Sequence, residues 1–135
     1  MIVSGLNDCQ ESSRWLAHFL LINRENHNNG KEDEKMKLGI LITTDRHLFH
    51  VAGLTRSAVS KGHEVIIFNM DSGTKFLDEP AFTELGNIKG VRVCFCGHSA
   101  QHQNVKKDGL PEDIICGSQY NNALMMHAAD KVIRL

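Results

Sequence analysis

Two hydrophobic patterns alternate along the chain from residue 36 to its end. Continuous apolar runs occur at KLGILITT (37–44), HEVIIFNM (63–70) and VRVCFC (91–96), and polar sequence bounds each of them. A continuous apolar run of this length is typical of a strand that is covered on both faces of a parallel sheet. The pattern therefore predicts three buried strands, and KVIRL (131–135) predicts a strand that closes the domain.

The segments between these strands predict helices and turns. Residues 47–62 place most of their apolar side chains on one helical face, and Gly62 suits the C-terminal cap. Residues 71–80 are predicted as a loop, which leads through Pro80 into a short helix. Residues 118–130 predict a last helix that Ser118 can cap.

The alternation of strands and helices predicts the fold class. A strand, a helix and a second strand form a βαβ unit, whose strands pair in parallel through a right-handed crossover. Repetition of this unit predicts an α/β protein with an open, mostly parallel sheet of four to five strands and helices on both faces.

The chain before residue 36 differs in character. Asp8, followed by Glu11, suits a capping box, and residues 9–22 predict a short amphipathic helix. Residues 24–37 are densely charged and predict a solvated linker. The expected organisation is an N-terminal helix and charged linker over residues 1–35, and an α/β domain over residues 36–135.

Charge and composition argue against several classes of partner. The chain has 15 Lys and Arg against 16 Asp and Glu, a net charge of −1, and 6% aromatic residues. Nucleic-acid binding usually needs excess basic charge or stacking aromatics, so neither mode is expected. The longest apolar run, WLAHFLLI, is far below the roughly 20 residues that span a bilayer. The first residues lack the pattern of a secretory signal, so a cytoplasmic location with reduced thiols is expected.

Functional groups in open α/β sheets gather beyond the carboxyl ends of the strands. Neither GxGxxG nor GxxxxGK[ST] occurs there, so a backbone cradle for phosphate is not predicted. A structural role is the alternative for each candidate, such as a helix N-cap for Asp45 or core packing for a cysteine. The candidate pocket residues are Thr44, Asp45, His47, Asp71, Ser72, Gly73 and Cys116.

Cys94 and Cys96 end the third strand, and three roles are open to them. As i and i+2 on a strand they share one face, so they can pack as buried thiols or bind a metal together with His98. A structural zinc site usually has a second ligand pair, which this CxC motif lacks, so no metal is predicted. The third role is a reactive thiol at Cys96.

The segment after Cys96 favours the reactive role. Residues 97–105 can begin a helical turn, whose free backbone N–H groups would stabilise a thiolate. A thiolate can accept a sulfane sulfur as a persulfide and pass it on by exchange. The residues expected to support the thiolate are Gly97, His98, Ser99 and His102.

From residue 36 to 135 the sequence resembles the DsrE/DsrF family of small sulfur-relay proteins, which includes the TusD-type subunits. The resemblance rests on MKLGILITT, KGHEVIIFNMDSG, CFCGHSAQHQNV and NNALMMHAADKVIRL. It implies the same α/β fold, with Cys96 as the sulfur-carrying cysteine. It also implies assembly as a trimer or hexamer, or with related subunits, and exchange with sulfur donor and acceptor proteins.

The leading hypothesis is therefore a cytoplasmic sulfur carrier that uses Cys96 and needs no cofactor. The alternative is a non-catalytic oligomeric module of the same fold, in which Cys96 is structural and the strand-end pocket binds a ligand or a protein. A third hypothesis is a metal-binding protein that uses Cys94, Cys96 and His98.

Overall fold

The computed structural model describes residues 34–135, which form a five-stranded, fully parallel sheet in the order β4-β3-β2-β1-β5. The predicted helix over residues 9–22 and most of the predicted linker lie outside the described residues. The strands are β1 (Lys37–Ile42), β2 (Glu64–Asn69), β3 (Val91–Cys96), β4 (Ile114–Gly117) and β5 (Lys131–Arg134).

Four α-helices and two 3₁₀ segments connect these strands. None of the helices between residues 34 and 135 is long and apolar enough to cross a membrane. The α-helices are α1 (Leu48–Ser60), α2 (Pro80–Thr83), α3 (Gly97–His102) and α4 (Gln119–Ala128); the 3₁₀ segments are Asp71–Asp78 and Glu84–Asn87.

The strands and main helices predicted from the sequence are confirmed, including the turn at Gly62, where φ is +85°. One prediction is wrong, and one strand was not predicted. Residues 71–78 form 3₁₀ turns instead of a loop, because Phe76 and Leu77 are buried in the core and draw the segment onto the sheet. β4 was not predicted, since its four residues are too short a run to stand out from the polar connection before it.

The sheet separates two hydrophobic clusters, so the prediction of helices on both faces is confirmed. The larger cluster lies on the face that carries α1, α2, α3 and Asp71–Asp78. The smaller cluster lies on the face that carries α4, and both Cys94 and Cys96 belong to it. Helix α4 follows β4 at one edge of the sheet and leads to β5 at the other, so it crosses the smaller-cluster face.

Candidate functional site

Cys96 is the last residue of β3 and the N-cap of α3. Its Sγ atom accepts a hydrogen bond from the backbone N–H of Ser99 at 3.5 Å. The sulfur thus takes the place of the side-chain oxygen that caps most helices. Only 5% of the residue is exposed, so the sulfur lies just beneath the surface at the carboxyl edge of the sheet.

Hydrogen bonds lower the pKa of Cys96. Burial alone would raise it, because a buried thiolate loses hydration. The donors that outweigh burial are the hydroxyl and the N–H of Ser99, the side-chain amide of Gln119 and the N–H of His98. All of these groups are neutral dipoles. The thiolate is therefore favoured by directed donors.

Cys94, two residues earlier, is a different kind of thiol. It is 1% exposed and lies in the smaller cluster, and burial raises its pKa to about 12. The neighbouring Cys96 adds to this shift, because a second negative charge nearby is unfavourable. Both residues carry free thiols, but only at Cys96 is the pKa of the thiol lowered, which favours the thiolate.

Gln119 was not predicted as a site residue. Cys96 pairs with Gly117 across β3 and β4, and α4 begins two residues later, so the first turn of α4 lies beside the Cys96 sulfur. Ser118 caps this helix by accepting from the N–H of Tyr120 at 3.2 Å, as predicted. The sequence would have indicated Gln119 only if β4 and its register had been recognised.

Gln119 also connects the site to β2. Its Nε2 donates to the Sδ atom of Met70, directly after β2, at 3.9 Å. Its Oε1 accepts from Nδ2 of Asn122, one helical turn along α4, at 3.2 Å. Residues that follow three different strands therefore meet at Cys96, and Met70 is a second residue that the sequence did not indicate.

The predicted supporting residues Gly97, His98 and Ser99 follow Cys96 in α3, but His98 acts differently from the expectation. Its contribution comes from the backbone N–H, whereas its side chain is exposed and its ring lies edge-on to that of His102, with centroids 4.8 Å apart. His102 is likewise exposed, and its described contact is with His98.

The candidate residues after β1 do not join Cys96 in the described contacts. The N-cap interpretation of Asp45 is wrong, because α1 begins at Leu48 with His47 as its N-cap; Asp45 instead pairs with Lys75 at 3.3 Å. His47 packs edge-on against His50. Thr44 is half-buried, and its hydroxyl has no hydrogen-bond partner among the described residues.

The residues after β2 have the turn role that was the alternative for them. Asp71, Ser72 and Gly73 form the first 3₁₀ turn, and the Ser72 hydroxyl donates to the carbonyl of Thr43 at 3.3 Å. Gly73 is required by close packing, since a Cβ atom there would lie 2.6 Å from the carbonyl oxygen of Ile42.

Cys116 lies on the opposite face of the sheet from Cys96. It pairs with Phe95 in the β3–β4 register and packs against the larger cluster, whereas Cys96 belongs to the smaller one. The sheet therefore separates the two side chains, and Cys116 is disulfide-bonded, so it does not offer a second free thiol to Cys96.

Metal sites and cavities are the other places where a function could reside. Within residues 34–135 no group of three or more His, Cys, Asp or Glu side chains is arranged to hold a metal ion. A cavity of about 520 Å³ opens at the amino ends of the strands, at the other edge of the sheet, where Lys37, Glu64 and Arg92 are among its lining residues. Its carboxylate, Glu64, is paired with Lys35 at 2.8 Å.

Comparison with known proteins identifies the fold. No protein-family model and no curated protein sequence matches the chain. The crystal structure of YchN from E. coli is similar, with a TM-score of 0.62 and 14% identity, and so is MTH1491, a protein of unknown function from Methanobacterium thermoautotrophicum, with 0.60 and 17%. The alignments cover 75% of this chain and 99% and 100% of those chains. Both neighbours have the DsrE/DsrF-like fold, so the likeness shows that this chain has it too.

Proposed function

We propose that this protein is a sulfur carrier of the DsrE/DsrF type, in which Cys96 accepts a sulfane sulfur as a persulfide and passes it to a partner thiol. The observation that carries the proposal is the set of donors around the Cys96 sulfur, which lowers the pKa of its thiol. The thiolate is the nucleophile of sulfur exchange, so this environment suits the chemistry. The DsrE/DsrF-like fold supports it at the level of architecture.

The transfer proceeds by two exchange steps that need no cofactor. The Cys96 thiolate attacks the outer sulfur of a donor persulfide, R–S–SH; a new S–S bond forms to Sγ while the donor S–S bond breaks. The donor leaves as the thiolate R–S⁻, and the proton stays on the transferred sulfur. An acceptor thiolate then attacks that outer sulfur and releases Cys96 as a thiolate, so the two steps involve no net oxidation.

Partner proteins are part of this proposal. Phe49, Tyr120 and Met126 are large apolar residues on the described surface that remain exposed, Phe49 by 86%. Contact with further copies of the chain or with related subunits would cover such side chains. Tyr120 directly follows Gln119, so a donor or acceptor protein that covered it would come close to Cys96. The role also requires reduced thiols, which the cytoplasm maintains.

Intact-mass spectrometry tests the proposal. The reduced protein is incubated with inorganic polysulfide, and the expected product is heavier by one sulfur atom, an addition that dithiothreitol removes. The adduct is expected to disappear in Cys96→Ser and to persist in Cys94→Ala, which changes the neighbouring thiol on the same face. An adduct that persists in Cys96→Ser would disprove the assignment of the site.

The low exposure of Cys96 favours a second candidate, a non-catalytic ligand- or protein-binding module in which this thiol is structural. Under that function polysulfide would leave the mass of the folded protein unchanged. Cys96 would then be modified only after unfolding. The same experiment therefore separates the two functions.

A further inference from the structure

The amide of Gln119 faces two sulfur atoms in a defined orientation. Its Oε1 accepts from Asn122, its Nε2 donates to Met70 Sδ, and its side chain hydrogen-bonds to Cys96. A primary amide has two N–H donors, enough for one at each sulfur. Rotating the amide by half a turn would set its oxygen against both sulfur atoms and its NH₂ against the NH₂ of Asn122. With Nδ2 of Asn122 donating to Oε1, the NH₂ group of Gln119 is the side directed toward Cys96.

Gln119 also lies on the solvent side of the site. Of the two side chains that hydrogen-bond to Cys96, Ser99 is buried and Gln119 is exposed. Gln119 is the first residue of α4, so the capped helix holds its backbone while its side chain remains at the surface. Rotation of this one side chain would uncover Cys96 without a change in the fold.

We infer that Gln119 is a further functional residue of the Cys96 site, whose amide donates to the ionised sulfur and covers it, with Asn122 as the residue that positions the amide. This inference rests on the proposed sulfur-carrier role of Cys96. It adds a control on access to Cys96, because the Gln119 side chain that stabilises the thiolate also shields it from solvent.

Loading with sulfur requires this cover to move. The outer sulfur of a persulfide lies about 2 Å beyond Sγ. The protein interior fills the space on the other sides of Cys96, where the smaller cluster packs. The added sulfur must therefore occupy the solvent side, and the Gln119 side chain swings outward to admit it. In that position the amide no longer stabilises a thiolate at Sγ, which is by then covalently bonded.

The rate of alkylation of Cys96 by iodoacetamide, measured against pH on the full-length folded protein, separates the two roles. The midpoint of the profile gives the pKa, and the plateau at high pH gives the accessibility of the thiolate. Gln119→Leu keeps the bulk of the side chain and removes the donor, whereas Gln119→Ala removes both. Gln101→Leu, an exposed glutamine of α3 outside the donor set, is the matched control.

The expected results differ between the variants. Gln119→Leu raises the pKa of Cys96 by about 0.5–1 unit, the effect of one lost charge-assisted hydrogen bond near the surface, and leaves the plateau unchanged. Gln119→Ala raises the pKa by a similar amount and also raises the plateau about fivefold, because the cover is gone. Asn122→Ala gives a smaller pKa rise, since Gln119 remains but is no longer held. Gln101→Leu changes neither quantity.

Two outcomes would overturn the inference. An unchanged midpoint in Gln119→Leu would show that the amide does not stabilise the thiolate, and an unchanged plateau in Gln119→Ala would show that it does not cover the sulfur. Circular dichroism confirms that each variant is folded. No sulfur donor is present, so a failure here is distinct from the absence of a persulfide adduct, which would refute the carrier function itself.

Discussion

Cys94 and Cys96 point to the same face of β3, yet the structure shifts the pKa values of their thiols in opposite directions. Burial holds the proton on Cys94, whose pKa is about 12. At Cys96 the strand ends, and the N–H groups of α3 and the side chains of Ser99 and Gln119 reach the sulfur. The end of β3 therefore separates Cys94, a thiol that packs in the core, from Cys96, a thiol that can ionise, although they are two residues apart.

Selective alkylation is the first prediction from this difference. At pH 7.5 and in the folded protein, iodoacetamide is expected to modify Cys96 at least about 100-fold faster than Cys94, since a pKa near 12 leaves almost no thiolate. No Lys or Arg lies between the two residues, so fragment-ion mass spectrometry of one tryptic peptide distinguishes the sites.

The control for this prediction is the same reaction after unfolding in urea, where both thiols are expected to react at similar rates. Comparable modification of Cys94 and Cys96 in the folded protein would contradict the opposite shifts. Modification of Cys94 alone would reverse their assignment.

The raised pKa of Cys94 predicts a loss of stability at alkaline pH. Because the pKa of Cys94 is higher in the folded state than in the unfolded state, its thiol stabilises the folded protein. This stabilisation is fully present below the unfolded value of 9.0 and is lost as the pH rises toward about 12. Between pH 8.5 and 10.5 this single group is expected to lower the free energy of unfolding by about 2 kcal/mol. Urea unfolding with a reductant at both pH values measures the loss.

Cys94→Ala isolates this contribution. The variant loses packing and is expected to be about 1–2 kcal/mol less stable at pH 7. Its free energy of unfolding should nevertheless fall less between pH 8.5 and 10.5 than that of the native sequence, because the titrating thiol is absent. Equal decreases in both proteins would mean that Cys94 does not retain its proton. Cys96 is present in both proteins, so its own titration affects the two decreases alike and cancels in their comparison.

Much of the fold was predictable because apolar periodicity reports which segments are buried. The continuous runs of β1, β2 and β3 and the helical spacing of α1 define buried elements without knowledge of their neighbours. β4 was missed because Ile114–Gly117 acquires strand geometry by pairing with β3, a contact distant in sequence. The 3₁₀ turns of Asp71–Asp78 were missed for the same reason, since burial of Phe76 outweighs the loop-forming residues around it.

The candidate site was predictable only in part. A cysteine at the carboxyl end of an apolar run, before a helical turn, indicates the position of Cys96 directly. Gln119 and Met70 reach it through the β3–β4 register and the path of α4, which no local pattern contains. Support of the Cys96 thiolate, which was expected of His98, comes from its backbone N–H and not from its side chain. The direction of that side chain depends on how α3 packs.

Gly117 is expected to be intolerant of a side chain. A Cβ atom there would lie 2.5 Å from Oδ1 of Asn121 and 2.8 Å from Sγ of Cys94. Asn121 cannot easily retreat, because its Oδ1 accepts from the Ser118 N–H in the cap of α4. Gly117→Ala is therefore expected to destabilise the protein by about 1–3 kcal/mol in urea unfolding, the usual cost of overpacking.

Gly53→Ala is the matched control for this substitution. Gly53 is exposed within α1, and a Cβ atom there meets nothing within 4 Å. Alanine in a helix is favoured over glycine, so Gly53→Ala is expected to stabilise the protein by about 0.5–1 kcal/mol. Destabilisation by Gly53→Ala, or tolerance of Gly117→Ala, would contradict the packing around these two glycines.

Ser99 supplies two of the donors at Cys96, and Ser99→Ala removes only one of them. The backbone N–H at 3.5 Å remains, whereas the hydroxyl is lost. The pKa of Cys96 is expected to rise by about 0.5–1 unit, which moves the midpoint of the alkylation profile to higher pH. Ser60→Ala, which removes an exposed hydroxyl bonded to the Ser57 carbonyl in α1, should leave that midpoint in place. If both variants shifted it equally, the change would reflect stability and not a donor at the sulfur.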